Sequence, residues 1–153
     1  MRTILLSLAA SLAIATPALA SEGRVDIHGG RVLVEGEDRN TLGVAAGYDF
    51  DMSPNVFVGV EANVDKILDD DLDATLGGSL RLGTRLSTGK LYAVGGISTD
   101  PTDTPAIDQL LSGGAGYEHN IGERAYVKAE YRHVFVEDFN DFDTVAVGVG
   151  VRW

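Results

Sequence analysis

Eight stretches of the chain alternate between apolar residues and small or polar residues. The last of them has a large apolar side chain at every second position, in Val145, Val147, Val149, Val151 and Trp153. A period of two residues is that of a β-strand, whose successive side chains point to opposite faces of a sheet. The pattern predicts strands at residues 24–35, 41–51, 55–67, 73–87, 90–98, 109–119, 123–136 and 143–153.

The other face of these predicted strands carries small residues and charges of both signs. We expect a charge network among the charged members of this row, which are Glu61, Arg81, Arg85, Glu118, Lys128, Glu130 and Arg132. An apolar row facing hydrocarbon and a polar row facing a narrow interior are typical of a β-barrel in a membrane. With the even number of strands, this predicts an all-β fold, an eight-stranded antiparallel up-and-down transmembrane β-barrel.

Two soluble folds with the same alternation fit less well. In a β-sandwich the polar row would face water, but here that row is rich in glycine, which suits a tight interior. A lipocalin-like carrier would need an apolar lumen, whereas the predicted lumen holds Arg81, Lys128 and Arg132.

Outward aromatic residues are expected to gather at one end of the barrel. With strands that run alternately up and down, an aromatic girdle at one membrane interface is predicted from Tyr48, Phe50, Tyr117 and Trp153. The connections at this end are short, and those at the other end are acidic, at residues 35–38, 69–73, 100–108 and 137–143. This asymmetry predicts periplasmic termini and external acidic connections.

The first predicted strand changes phase along its length. Val25 and Ile27 occupy odd positions, whereas Val32 and Val34 occupy even ones, so a regular strand would turn half of them inward. We therefore expect a bulge or break at residues 29–30, where two glycines tolerate the required backbone angles.

Residues 1–20 have the features of a secretory signal peptide. Arg2 is followed by an apolar run to Ala15, and the segment ends in the small-residue pattern Ala18-Leu-Ala20. The run is too short to cross a bilayer as a helix. Cleavage after Ala20 would leave residues 21–153, which we expect to form one barrel domain.

Composition excludes several kinds of partner and cofactor. The 23 acidic and 12 basic residues argue against nucleic acid, because phosphates require a basic surface. Without cysteine, the fold cannot depend on disulfides. The acidic residues 69–73 lack the spacing of a calcium loop, and the glycines of residues 113–116 have no phosphate-binding Lys. We expect neither a metal nor a cofactor.

Four phrases resemble those of the opacity-type porin family of small eight-stranded outer-membrane barrels, which are similar to the barrel domain of outer membrane protein A. They are Ala46-Gly-Tyr-Asp-Phe50, Val58-Gly-Val-Glu-Ala62, Lys128-Ala-Glu-Tyr-Arg132 and Val149-Gly-Val-Arg-Trp153. The resemblance implies a monomer in the outer membrane of a Gram-negative bacterium, in contact with its lipid and lipopolysaccharide. It also implies periplasmic chaperones and the barrel assembly machinery, whose recognition signal resembles Gly148, Val151 and Trp153.

Some eight-stranded outer-membrane barrels are enzymes that modify lipid A. The deacylase type uses a His and a Ser two residues further on at the lipid-facing surface, with a carboxylate that orients the His. The residues two positions after the three histidines are Gly30, Ile121 and Phe135. We therefore expect no catalysis, and we expect interfacial or surface positions for His28, His119 and His133.

Two functions stay open at this point. The first is a structural, surface-exposed barrel that presents its loops, and the second is a narrow porin-like channel for small solutes or ions. An eight-stranded barrel is only wide enough for its own side chains. Because the inward residues are long and charged, we expect a plugged lumen with Arg81 and Arg132 at the centre of the network.

Overall fold

A computed structural model of the chain describes residues 21–34, 37–68, 74–99, 110–136 and 140–153. These ranges form eight strands, which are β1 (Ser21–Val34), β2 (Glu37–Asp51), β3 (Val56–Ile67), β4 (Ala74–Leu86), β5 (Gly89–Ser98), β6 (Leu110–Asn120), β7 (Ala125–Phe135) and β8 (Phe142–Arg152). Their bounds lie within a few residues of the predicted ones. The predicted signal peptide and much of the acidic connections lie outside the described residues.

The eight strands form one closed barrel. Each strand pairs antiparallel with its neighbours in sequence, and β8 pairs with β1 to close the ring. Closure gives every strand two partners, so no edge is left open for pairing with another chain. The predicted eight-stranded antiparallel barrel is confirmed. Among the described residues, no helix is long and apolar enough to cross a membrane.

The two faces of the barrel are inverted relative to a water-soluble protein. Large apolar side chains face outward, including Leu80 at 65% exposure and Val147 at 63%. Among the buried residues, those with charged or polar side chains outnumber the hydrophobic ones. Such a surface is unfavourable in water and favourable in hydrocarbon. The alternation of the sequence therefore produces a membrane-facing exterior and a polar lumen.

The two ends of the barrel differ in their connections. We call the end that carries Ser21 and Trp153 the near end and the opposite one the far end. The near-end connections are short, at residues 52–55, 87–88 and 121–124. Backbone hydrogen bonds stabilise them, such as Met52 N–H to Val56 O at 2.9 Å and Ile121 N–H to Ala125 O at 3.0 Å.

The expected bulge at residues 29–30 is wrong. Strand β1 pairs without interruption with β2 and with β8 through both glycines. The strand stays regular, so the change of phase turns an apolar side chain into the lumen. Val32 points inward and is only 6% exposed. It joins Leu110 and Val134, which are also buried, so apolar side chains line part of the lumen near the far end.

Candidate functional site: the barrel lumen

Arg24 on β1 lies at the centre of the charged lumen. Its Nη1 donates to Glu61 Oε2 at 2.7 Å, and its guanidinium lies 3.5 Å from Asp49 and 3.6 Å from Asp26. These four side chains are at most 1% exposed. Gly47 on β2 makes room for the arginine, since a Cβ there would lie 2.6 Å from Arg24 Nη2.

Arg81 on β4 extends the network across the lumen. Its Nη1 lies 2.7 Å from Glu118 Oε1, and the same guanidinium lies 3.8 Å from Asp49 and 3.9 Å from Glu61. The Arg81 guanidinium carbon is 3.8 Å from the centre of the Tyr92 ring, a cation–π geometry. Arg24 and Arg81 therefore share carboxylates, and each buried charge has a counter-ion.

A second layer of ion pairs closes the lumen toward the near end. Lys90 Nζ donates to Asp49 Oδ2 at 2.7 Å and to Glu22 Oε1 at 2.5 Å. Arg152 lies 3.7 Å from Glu22 and 3.5 Å from Glu118. Strand β8 thus contributes its last residue to the same network as β1, β2, β5 and β6.

The half of the lumen toward the far end is less tightly filled. Lys128 Nζ lies 2.6 Å from Asp26, and Arg132 pairs with Glu130 at 2.6 Å and with Glu61 at 3.1 Å. Glu130 also accepts a hydrogen bond of 2.7 Å from the hydroxyl of Tyr92. These contacts connect β7 to the Arg24 cluster through Glu61 and Asp26.

His28 lies in the lumen, so its expected place at the interface or surface is wrong. Its Nδ1 is 3.0 Å from Asp26 Oδ1, and its Nε2 is 2.7 Å from Asp65 Oδ1. The reason is the uninterrupted alternation of β1, which turns its even positions inward as far as Val32.

The predicted network residues fall into two groups. The lumen brings together Glu61, Arg81, Glu118, Lys128, Glu130 and Arg132. Arg85 lies apart at the near mouth, where it pairs with Asp51 and is about a quarter exposed. The predicted network did not include the other lumen ions, although Asp49, Asp65 and Arg152 lie on the predicted inward row. They are Glu22, Arg24, Asp26, Asp49, Asp65, Lys90 and Arg152. Arg24 takes the central place expected of Arg132.

A cavity of about 140 Å³, which we call the far cavity, occupies the far half of the lumen. Its polar floor includes His28, Glu61, Asn63, Asp65 and Arg132. Its rim, which we call the far collar, consists of the apolar residues Val32, Ile67, Leu110, Val134 and Phe142. An apolar collar was not expected from the sequence, which predicted a polar lumen throughout.

The four aromatic residues predicted as a girdle all lie at the near end of the barrel. Tyr48 and Phe50 contact each other edge to face, with ring centres 4.9 Å apart. The hydroxyl of Tyr48 lies 2.7 Å from Ser21 Oγ, and that of Tyr117 lies 2.9 Å from Thr88 Oγ1. The two tyrosine hydroxyls thus form hydrogen bonds with residues at the chain end and in a turn, while the aromatic rings face outward. This is the usual arrangement at a membrane interface.

Trp153 lies where β8 closes onto β1. Its backbone exchanges two hydrogen bonds of 3.0 Å with Gly23, and its side chain is 67% exposed. A Cβ on Gly23 would lie 2.8 Å from the indole Cε2, so glycine leaves room for the ring. The other members of the expected assembly signal are Val151, which points outward, and Gly148, which pairs with His28.

A small polar cluster lies on the outer surface at the far end. Asp143 accepts a hydrogen bond of 2.7 Å from the hydroxyl of Tyr131, and it lies 2.8 Å from His133 Nδ1. Phe135 contacts the His133 ring edge to face at 4.7 Å. Within the described ranges, no group of three or more His, Asp or Glu side chains is arranged to hold a metal ion.

An all-antiparallel closed barrel with an apolar exterior and an ion-paired interior defines a membrane-spanning β-barrel. The chain belongs to the family described as outer membrane protein beta-barrel domain, whose model matches residues 6–153. The protein is therefore an outer-membrane barrel, and the predicted resemblance to small eight-stranded barrels of that membrane is confirmed.

Solved structures of small outer-membrane barrels share this fold. The N-terminal barrel domain of OprF from Pseudomonas aeruginosa has 15% identity and a TM-score of 0.57, covering 86% of this chain and 97% of that one. Ail, the attachment invasion locus protein of Yersinia pestis, has 18% identity and a TM-score of 0.52, with coverage of 87% and 97%. The outer membrane enzyme PagL has 13% identity and a TM-score of 0.53, with coverage of 84% and 98%. None of the curated proteins matches the sequence at a significant level.

Proposed function

We propose that this outer-membrane barrel is a structural, surface-exposed protein that neither conducts nor catalyses. One observation carries the proposal: the largest fully buried side chains fill the lumen instead of lining a pore. They are Arg24, Asp49, Phe57, Arg81, Lys90, Glu118 and Tyr126. Most of them belong to the ion-paired layers described above, and they come from strands all around the barrel.

The energetics of these ion pairs support a closed lumen. A permeating ion would have to displace Arg24 or Arg81 from its carboxylates, which are themselves excluded from water. Breaking a buried pair costs about 3–5 kcal/mol, because it leaves an uncompensated charge. Several pairs would have to break together, since Asp49 and Glu61 each contact both arginines.

Single-channel recording in a planar lipid bilayer tests the closure. We expect no stable openings from the wild-type barrel. A double variant that shortens two plug residues, Arg81→Ser with Lys90→Ser, should give small ionic openings, whereas the exposed-arginine control Arg31→Ser should stay silent. Large, stable openings of the wild type would instead support the alternative function, a narrow channel for small solutes or ions.

The polar cluster of Tyr131, His133 and Asp143 on the outer surface supports the proposal that the barrel does not catalyse a reaction. His133 has a carboxylate partner in Asp143, the pair that orients a general base. The position two residues further on, where the deacylase pattern requires Ser, is Phe135. Without a nucleophile the pair cannot start acyl transfer. Mass spectra of lipid A from cells with and without the protein should be identical, and an acyl chain lost only from expressing cells would contradict this.

Orientation and export complete the proposal. We infer that both termini are periplasmic and that the acidic far-end connections are external, in contact with lipopolysaccharide. The short near-end turns and the near-end aromatic residues support this direction.

We also propose that the signal peptide is removed after Ala20, and that periplasmic chaperones and the barrel assembly machinery deliver a monomer. Its resemblance to opacity-type proteins supports a role at the cell surface.

A further inference from the structure

We propose that the far cavity binds a small organic cation that carries one benzene-sized apolar group. This goes beyond the closed, structural barrel proposed above, because the cavity lies on the far side of the plug. It depends neither on conductance nor on which side of the membrane the far end faces.

The volume of the far cavity and the apolar residues of the far collar indicate the size of the apolar group that the ligand carries. Val32, Leu110 and Val134 come from three different strands and are each at most 7% exposed. With Ile67 and Phe142 they give the far cavity a largely apolar wall, which is interrupted by hydroxyl residues such as Thr41, Ser112 and Thr144. An apolar cavity of about 150 Å³ in another protein takes up benzene, and the far cavity is of nearly the same size at about 140 Å³.

The floor of the cavity sets the charge of the ligand. Asp65 has a side chain that is 26% exposed, whereas those of Asp26 and Glu61 are at most 1% exposed. Its contacts are His28 at 2.7 Å and the amide of Asn63. A carboxylate has about four acceptor sites, so Asp65 can accept more hydrogen bonds.

Asn63 adds an acceptor to the same floor. Its Nδ2 donates to Asp65, and its Oδ1 is buried without a hydrogen-bond partner. An ammonium group has three donors and no acceptor, which complements this pair of oxygen-bearing side chains. Lys128 and Arg132 of the floor are already paired with carboxylates. His28 lies between Asp26 and Asp65 and contacts only one of the two Asp65 oxygens.

The sequence around the far mouth favours entry of a cation. The four connecting segments, residues 35–38, 69–73, 100–108 and 137–143, are acidic and contain no Lys or Arg. The acidic residues of these segments outnumber the far-end cations Arg31, Arg39 and Lys66, and an excess of one sign of charge near a cleft raises the local concentration of the opposite ion. Anions of the same size should be repelled.

Isothermal titration of the barrel in detergent micelles with benzylammonium tests the proposal, with heats from empty micelles subtracted. We expect binding of one benzylammonium per barrel. Neutral benzyl alcohol and anionic benzoate, which have the same ring, should bind at least tenfold more weakly. Asp65→Asn should raise the Kd for benzylammonium at least tenfold, whereas the far-end control Asp141→Asn should leave it unchanged.

A second variant separates loss of binding from loss of folding. Val134→Phe should fill the collar and abolish binding, while the heat-dependent gel shift shows that the barrel is still closed. Absence of binding by the wild type, equal binding of all three probes, or an unchanged Kd in folded Asp65→Asn would each overturn the proposal.

Discussion

Arg24 and Glu61 meet at 2.7 Å inside the barrel although they are 37 positions apart in the chain. Both side chains are at most 1% exposed. The same guanidinium lies within 3.6 Å of Asp26 and Asp49. One arginine therefore contacts three buried carboxylates, and each of them has a further cationic partner in Lys128, Lys90 or Arg132. Arg81 also contacts three carboxylates, which are Asp49, Glu61 and Glu118, so the two arginines together hold the plug.

Replacement of Arg24 by Met should strongly destabilise the barrel. The substitution preserves bulk but leaves Asp49 and Glu61 short of a counter-ion, so we expect a loss of about 3–5 kcal/mol in the free energy of unfolding. Urea titration of the barrel in lipid vesicles measures it.

Arg31→Met is the matched control for this prediction. Arg31 pairs with Asp38 at 3.5 Å, and both side chains are more than half exposed. An exposed pair contributes about 0–1 kcal/mol, so this variant should unfold nearly as the wild type does. Equal stability of the two arginine variants would mean that water replaces Arg24 in the lumen.

The orientation of the barrel can be read from single cysteines, because the chain contains none. Asp71→Cys places a thiol in the β3–β4 connection at the far end, and Thr88→Cys places one in the β4–β5 turn at the near end. An impermeant thiol reagent applied to intact cells should label only position 71. Labelling of position 88 alone would reverse the proposed orientation.

Assembly should depend on the aromatic ring of Trp153. Trp153→Glu places a charge where the ring now lies against Gly23, at the level of the near-end girdle. We expect reduced outer-membrane levels and accumulation in the periplasmic fraction, measured by immunoblotting. Trp153→Phe keeps an aromatic ring and should assemble normally. Normal levels of the Glu variant would show that the ring is dispensable.

Two glycines on opposite faces should respond differently to one added methyl group. Gly116 pairs with Tyr92 across β5 and β6, and a Cβ at Gly116 would collide with the Tyr92 ring, which Glu130 holds by a hydrogen bond of 2.7 Å. We expect Gly116→Ala to lower the free energy of unfolding by about 1–3 kcal/mol.

The control for that glycine is Gly95→Ala on the outer face. The nearest heavy atom to its added Cβ would be Ser112 O at 3.8 Å, an ordinary contact. This variant should unfold at the urea concentration of the wild type. A Gly116→Ala barrel that is equally stable would show that the Tyr92 ring moves aside at little cost.

The strands were predictable because a β-barrel in a membrane repeats one physical rule at every residue. Each side chain faces either hydrocarbon or the lumen, so alternation reports both the strand and its phase. Glu61, Arg81 and Lys128 lie in the middle of uninterrupted alternating runs, and the structure places all three inside.

The other charged residues of the lumen were harder to predict because they lie where the alternation of apolar and polar residues is weak. Arg24, Asp26 and His28 belong to β1, whose apolar residues change phase near the far end, and Lys90 is next to a turn. Ion pairs form where a charged side chain is long enough to contact one from a non-neighbouring strand across the lumen. Arg24 on β1 and Glu61 on β3 illustrate this, since no spacing along the chain encodes their distance.

The way in which β1 meets β8 has a consequence for the order of folding. Seven of the eight strand pairings join neighbours in sequence, while the β1–β8 ladder joins the two ends of the described chain. Contacts between neighbours close short loops and form early, whereas a contact that spans the whole domain must overcome a larger loss of chain entropy. The seam between Arg24 and Arg152 should therefore be the last part of the ladder to form and the rate-limiting one. Until it forms, the intermediate is an open sheet with two unpaired edges.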